Sequence, residues 1–410
     1  MNAEFRGPSG TTATVRVQPR STPSHTVMRP RPHRLRRVPR LRAALARTAV
    51  AALSLTAAAR ATARAQAVVK VNDSVSVRFG VLLQPWFDES QDPVTGNYSQ
   101  NIYLRRARFL VGGQFGSKFG FFLETDNPNL GRAVGTAGKN ISAGFILQDA
   151  YVDYHPSTAF TVQAGLMLPP SARNALETAA GLLAIDYSAY SFINGSALIE
   201  NEVVGRDLGV QAKGYLFSNR IEYRAGVFQG ARTSAPPGSS AAALGAANPF
   251  RAAGRLQVAF LDPEVVPFFY PGLYFGRRRT FNLGVSYDVQ QTLHTLAGDF
   301  FFDHPVGTTG AVTLQGDVFR RDGGRYTALP KQTNAYAEGG YLFRDAGVMP
   351  FVRAEAQNIS GNSAVSQHRF QAGLAYFIAG QNLSLKAAYG QVRPNAAPNT
   401  GQFTTQLQFF

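Results

Sequence analysis

The sequence contains no cysteine among its 410 residues, which excludes a disulfide framework. Past residue 67 there is no run of eighteen apolar residues, which excludes a membrane-spanning helix from that stretch. Charge is sparse, at 16% of residues, yet mean hydropathy is a near-neutral -0.12, unlike a bundle of membrane helices. Histidine is scarce: the four past residue 67, His155, His294, His304 and His368, are scattered, with neither paired metal-ligand spacing nor a nucleophile motif beside them. No enzyme activity, metal or cofactor is therefore expected. Glu124-Thr125-Asp126-Asn127 has oxygen donors for Ca²⁺, but acidic turns of this kind are common without metal.

The basic charge is unevenly placed. Of a net +16, residues 1–67 supply thirteen arginines against the single acid Glu4, so the remaining 343 residues carry 28 basic and 24 acidic side chains. That balance removes the main support for a nucleic-acid surface. From Met28 a basic stretch runs through Arg47, followed by a short apolar run from Thr48 to Ala59 and then Ala65-Gln66-Ala67. This is the order of a signal peptide, with cleavage expected after Ala67. The expected organisation is an N-terminal extension over 1–27, with Met28 as a candidate start, a signal peptide over 28–67 and one domain over 68–410.

What the domain does have is aromatics (30 Phe, 16 Tyr), 40 Gly and alternation with period two, broken by turn residues. Sixteen candidate strands follow, from Ser74–Phe87 to Gln402–Phe410. Their two faces differ in chemistry. In the second, Ala107, Phe109, Val111 and Phe115 oppose Arg106, Arg108 and Gln114; in the ninth, Phe281, Leu283, Val285, Tyr287 and Val289 oppose Asn282, Ser286 and Asp288. Turns after even-numbered strands are often tight and several after odd-numbered ones long, as in outer-membrane barrels with short periplasmic turns and long outside loops. Two connections break this rule: Asp262 to Arg279 is long, and Gln290 to Leu293 is short. The reading is all-β: a transmembrane antiparallel β-barrel of about sixteen strands, with outer-membrane lipid outside and water within. A terminal aromatic, Phe410, follows the last strand as barrel-assembly machinery would read it, but in phase with Gln406 and Gln408 rather than with Leu407 and Phe409.

Three segments carry a resemblance: Tyr103-Leu104-Arg105-Arg106-Ala107-Arg108-Phe109, Leu147-Gln148-Asp149-Ala150-Tyr151-Val152-Asp153-Tyr154 and Gly205-Arg206-Asp207-Leu208-Gly209-Val210-Gln211. With Tyr274-Phe275-Gly276-Arg277-Arg278-Arg279, they make the chain similar to the phosphate-selective porin O and P family. That resemblance implies a sixteen-stranded homotrimeric channel passing small anions, in some members phosphate or polyphosphate.

The candidate pore cations are Arg106, Arg108, Arg173, Lys213, Arg224, Arg255, Arg353, Arg369 and Lys386. Acids share the polar faces, among them Glu124, Asp126, Asp149, Glu222, Asp317, Glu338 and Glu355, and a wall of mixed sign resembles a general, non-selective porin. Pro169 to Glu202 is expected to fold inward as the constriction, bringing Arg173 to the passage beside Arg106 and Arg108. These last two have an alternative, pairing with Glu124 or Asp126 on the adjacent strand. Arg105 is expected to point outward to lipid headgroups, and Arg277-Arg278-Arg279 to be solvated or headgroup-facing. The competing functions are a non-conducting adhesin and a barrel phospholipase.

Overall fold

The computed structural model describes residues 66–134, 137–139, 141, 144–193, 205–232, 248–324 and 329–410. The expected leader and extension lie outside these, apart from Gln66 and Ala67. The barrel wall begins with β1 (Val75–Gln91), β2 (Tyr98–Phe115), β3 (Phe119–Asp126), β4 (Ile146–Ser157), β5 (Phe160–Met167) and β6 (Asp207–Leu216). It continues with β7 (Ile221–Phe228), β8 (Arg251–Ala259), β9 (Thr280–Gln290), β10 (Leu293–Val306) and β11 (Gly310–Asp322). β12 (Gln332–Phe343), β13 (Val348–Ile359), β14 (Gln367–Phe377), β15 (Leu383–Pro394) and β16 (Thr400–Phe409) complete it. Each expected strand corresponds to one of these sixteen.

Every strand pairs antiparallel with its successor, and β16 returns to β1 through Gln402↔Ser90 to Phe409↔Leu83. The short strand Gln66–Lys70 covers the rest of that β1 edge, with Gln66 opposite Gly80 and Lys70 opposite Ser76. Closure of this kind leaves no strand edge to lipid, where an unpaired backbone group costs several kcal/mol.

The two faces are inverted relative to a soluble sheet. Leu256, Leu283, Val285 and Tyr287 are exposed, whereas Arg255, Gln257, Asn282 and Ser286 are buried. One face meets lipid and the other a filled interior, so alternation places charge on the buried side. Both irregular connections are present as expected, a long one after β8 and a two-residue turn between β9 and β10. β16 ends at Phe409, and Phe410 turns in against an apolar cluster inside the barrel.

Val285 sits midway along β9 on the outer face. Val285→Arg should therefore cost about 2–4 kcal/mol, the penalty for a cation at bilayer mid-depth, read from urea unfolding in lipid vesicles. A cost near zero would place that face in water and remove the barrel's orientation.

Candidate functional site

Two loops from opposite ends of the barrel fill its interior. The first joins β5 to β6 and is described to Ile193; the second joins β8 to β9 over residues 260–279. A segment buried in this way takes its carbonyl oxygens out of water, so each needs a donor, and the inner wall supplies them. Lys386 donates to the carbonyls of Leu182 and Ala184, Arg353 to Asp186 (2.7 Å), and Arg321 to Tyr190 (3.0 Å) and Ser191. Gln84 and Gln408 hold Ala179 and Ala180 (3.3 and 2.9 Å). The first loop thus crosses the lumen from β8, where Arg255 holds Ser171 (3.1 Å), to β15 and β16. The second is held by Lys213 on Val266 and Pro267 (2.5 and 2.7 Å) and by Arg224 on Phe268 (2.8 Å).

The loops meet at one buried junction. Arg173 makes a bidentate pair with Glu264 (2.6 and 2.8 Å) and lies 3.4 Å from Glu177. Its guanidinium also rests over the rings of Phe301 (3.6 Å) and Tyr270 (4.4 Å). Backbone bonds Thr178 N–H to Tyr270 O and Tyr270 N–H to Leu176 O, both 2.9 Å, tie the chains together. Gly181 and Gly272 cross so closely that a Cβ on Gly181 would overlap the Pro271 carbonyl, and one on Gly272 the Gly181 carbonyl.

The expected cations all face the interior, but as anchors and ion pairs. Arg108 pairs with Glu124 (2.5 Å) and Asp126 (2.9 Å), the cross-strand alternative, whereas Arg106 binds Asp186 of the first loop (2.5 Å). Arg224 and Arg255 pair with Glu222 and Asp299, Arg353 with Glu338, and Arg369 lies 3.8 Å from Glu355. Arg173, Arg224 and Arg255 converge on the ring of Tyr270.

Arg105 requires a correction: it points inward and pairs with Asp186 at 2.8 Å. A β-bulge is the cause. Gln84 opposes Arg106 while Pro85 opposes Leu104, so Arg105 is an extra residue and the face alternation slips there. Of the 277–279 run, Arg278 holds the Pro263 carbonyl and Arg279 stays exposed, 3.9 Å from Asp262. Sequence reasoning missed Glu264, Tyr270, Asp186, Arg251 and Arg321. Arg321 could have been found, since it continues the inward phase of Gln315 and Asp317 just past the expected end of its strand.

Beside the loops, a cavity of about 890 Å³ lies against β1 to β6 and reaches the short-turn mouth at Gln114 and Thr158. Two loop carboxyls near it differ in state. Burial opposes the Asp186 carboxylate, but Arg105, Arg106 and the Tyr187 N–H hold its carboxyl well below the usual range. Burial raises Glu177 to about 7, Arg173 only partly offsetting it, and Glu338 adds to the rise.

A family model described as phosphate-selective porin O and P matches residues 79–341. A comparison with curated proteins finds no match. Among solved structures, OmpF of Salmonella typhi in complex with daunomycin is similar at TM-score 0.54 and 11% identity, over 84% of this chain and 100% of that one. OprB of Pseudomonas putida gives 0.54 and 8%, over 81% and 94%. An anion-selective porin from Comamonas acidovorans gives 0.51 and 13%, over 82% and 98%. At these identities the likeness is one of fold.

Arg173→Ala would leave Glu264 and Glu177 buried without their cation, a loss of about 3–5 kcal/mol at the junction. Both it and Gly181→Ala should raise single-pore conductance in planar bilayers; unchanged steps in both would show that the junction does not limit flow. A carboxyl whose value is raised on packing stabilises the packed state fully below its ordinary value near 4.5, and that contribution is gone once pH has passed about 7. Conductance should therefore rise between about pH 5 and 8, and Glu177→Gln should flatten the profile.

Proposed function

Because the chain belongs to the phosphate-selective porin O and P family, we propose that its lumen passes small anions by passive diffusion, phosphate and polyphosphate among them. That the barrel is an outer-membrane channel follows from the family and the fold together. Anion preference is the further step, and the lining of the cavity supports it. Of the four cations that face that space, Arg108 and Arg206 are paired with carboxylates, whereas Arg78 and Lys213 make no ion pair among the described residues. An excess of fixed positive charge at a narrow point lowers the barrier to anions and raises it to cations.

The nine candidate pore cations serve this passage in two ways, by setting the sign of the interior field and by fixing the loops that narrow it. Residues 28–67 are taken as an export leader cut after Ala67, which leaves Val68 to Lys70 of the short strand paired with β1, and the working assembly as a homotrimer inserted by barrel-assembly machinery. A general porin without charge preference is the second reading, favoured by the close pairing of Arg108, Arg224 and Arg353 with carboxylates.

Reversal potential across a KCl gradient separates the two. Chloride preference is expected, and Arg78→Glu combined with Lys213→Met should move the ratio toward potassium. Equal permeability in the unaltered protein would favour the general porin, and a ratio indifferent to the double variant would remove these two cations from selectivity.

A further inference from the structure

The interior of a water-filled barrel is ordinarily polar, yet part of this one is apolar. Leu82, Leu110, Phe122 and Tyr151 point inward from β1 to β4 and adjoin one another: Gly80 opposes Leu110, Gly112 opposes Phe122, and Phe122 opposes Tyr151. The second loop presents Phe268 and Phe269 to this patch. Ring centroids are 5.3 Å apart for Tyr151 and Phe268 and 6.3 Å for Phe122 and Phe269.

Docking of the loop accounts for only some of these side chains. Phe268 and Tyr151 are buried, whereas Leu110, Phe122 and Phe269 are only partly covered and line the 890 Å³ cavity. Apolar surface left facing a wet cavity carries a free-energy cost that an apolar guest recovers on covering it. Two cations line the same cavity as the patch. Arg78 is exposed near the short-turn mouth and makes no ion pair among the described residues; Lys213 is buried and holds two backbone carbonyls.

Resting on the anion-channel reading, we propose that this cavity is a binding site for an aromatic ring bearing a single anionic group, the ring lodged at Phe122 and Phe269 and the anion directed to Arg78 or Lys213. Inorganic phosphate would use only the cations. An aromatic guest gains ring contacts as well.

Phenyl phosphate and inorganic phosphate share a headgroup and differ by the ring, so their comparison isolates it. Each is titrated as a blocker of KCl current in planar bilayers, and each is measured by calorimetry against the detergent-solubilised protein. Phenyl phosphate should block at about tenfold lower concentration and bind about tenfold more tightly. Phe269→Ser should remove most of the difference, and Arg78→Glu, which disturbs no packing, should weaken phenyl phosphate itself. Equal potency of the two phosphates, or a preference untouched by both variants, overturns the site even where KCl conductance is normal. Absence of KCl conductance overturns the channel reading instead, and calorimetry then still decides whether the ring is recognised.

Discussion

A loop drawn into a barrel brings carbonyl groups away from water, and the rest of this interior is arranged around supplying them with donors. The wall does so in a repeated way. Arg224, Arg255 and Arg353 each bind a wall carboxylate, Glu222, Asp299 and Glu338, and use a remaining N–H for a loop carbonyl at Phe268, Ser171 or Asp186. The planar fork of arginine allows both at once. Lys213 and Lys386, with compact ammonium groups, hold two carbonyls each. Charges that look in sequence like a pore lining are thus largely the means by which the loops are positioned.

This arrangement sets a limit on what sequence alone conveys. Period-two alternation identified all sixteen strands, and connection lengths identified both irregular loops, because these signals are local. Inward placement of Arg106, Arg108, Lys213 and Lys386 followed from the same alternation. Partnerships followed only between adjacent strands, as for Arg108 with Glu124 and Asp126; Arg173 and Glu264 lie 91 residues apart and neither belongs to a strand. Arg105 failed for a different reason. A single extra residue opposite Gln84 and Pro85 shifts the phase, and nothing in a run of Arg-Arg-Ala-Arg indicates where the bulge falls.

Alternation also tells which side a residue faces without telling what waits there. Leu110 shares the phase of Arg106 and Arg108, and Phe122 that of Glu124 and Asp126, so both read as lapses in an otherwise polar row. Inside the barrel they lie side by side beneath Phe269. The lapses are adjacent because β2 and β3 are paired with Gly112 opposite Phe122, a register set by the tight turn between the strands. Apolar residues on the wet phase therefore form one patch instead of scattered defects.

The two loops enter from opposite mouths and share a single ionic and backbone junction, while each keeps its own bonds to the wall. The first is held at Ser171, Ala179, Ala180, Leu182, Ala184, Asp186 and Tyr190; the second at Val266, Pro267 and Phe268. Loss of the junction alone would leave both chains inside the barrel, separated but not expelled. Solute passage is then governed less by the anchors than by the loop edge facing β1 to β6, where Glu177, Tyr187, Val266 and Phe269 border the cavity. On that edge the Phe269 side chain is free to change with the solute, because the second loop is held through the backbone of its neighbours Val266, Pro267 and Phe268.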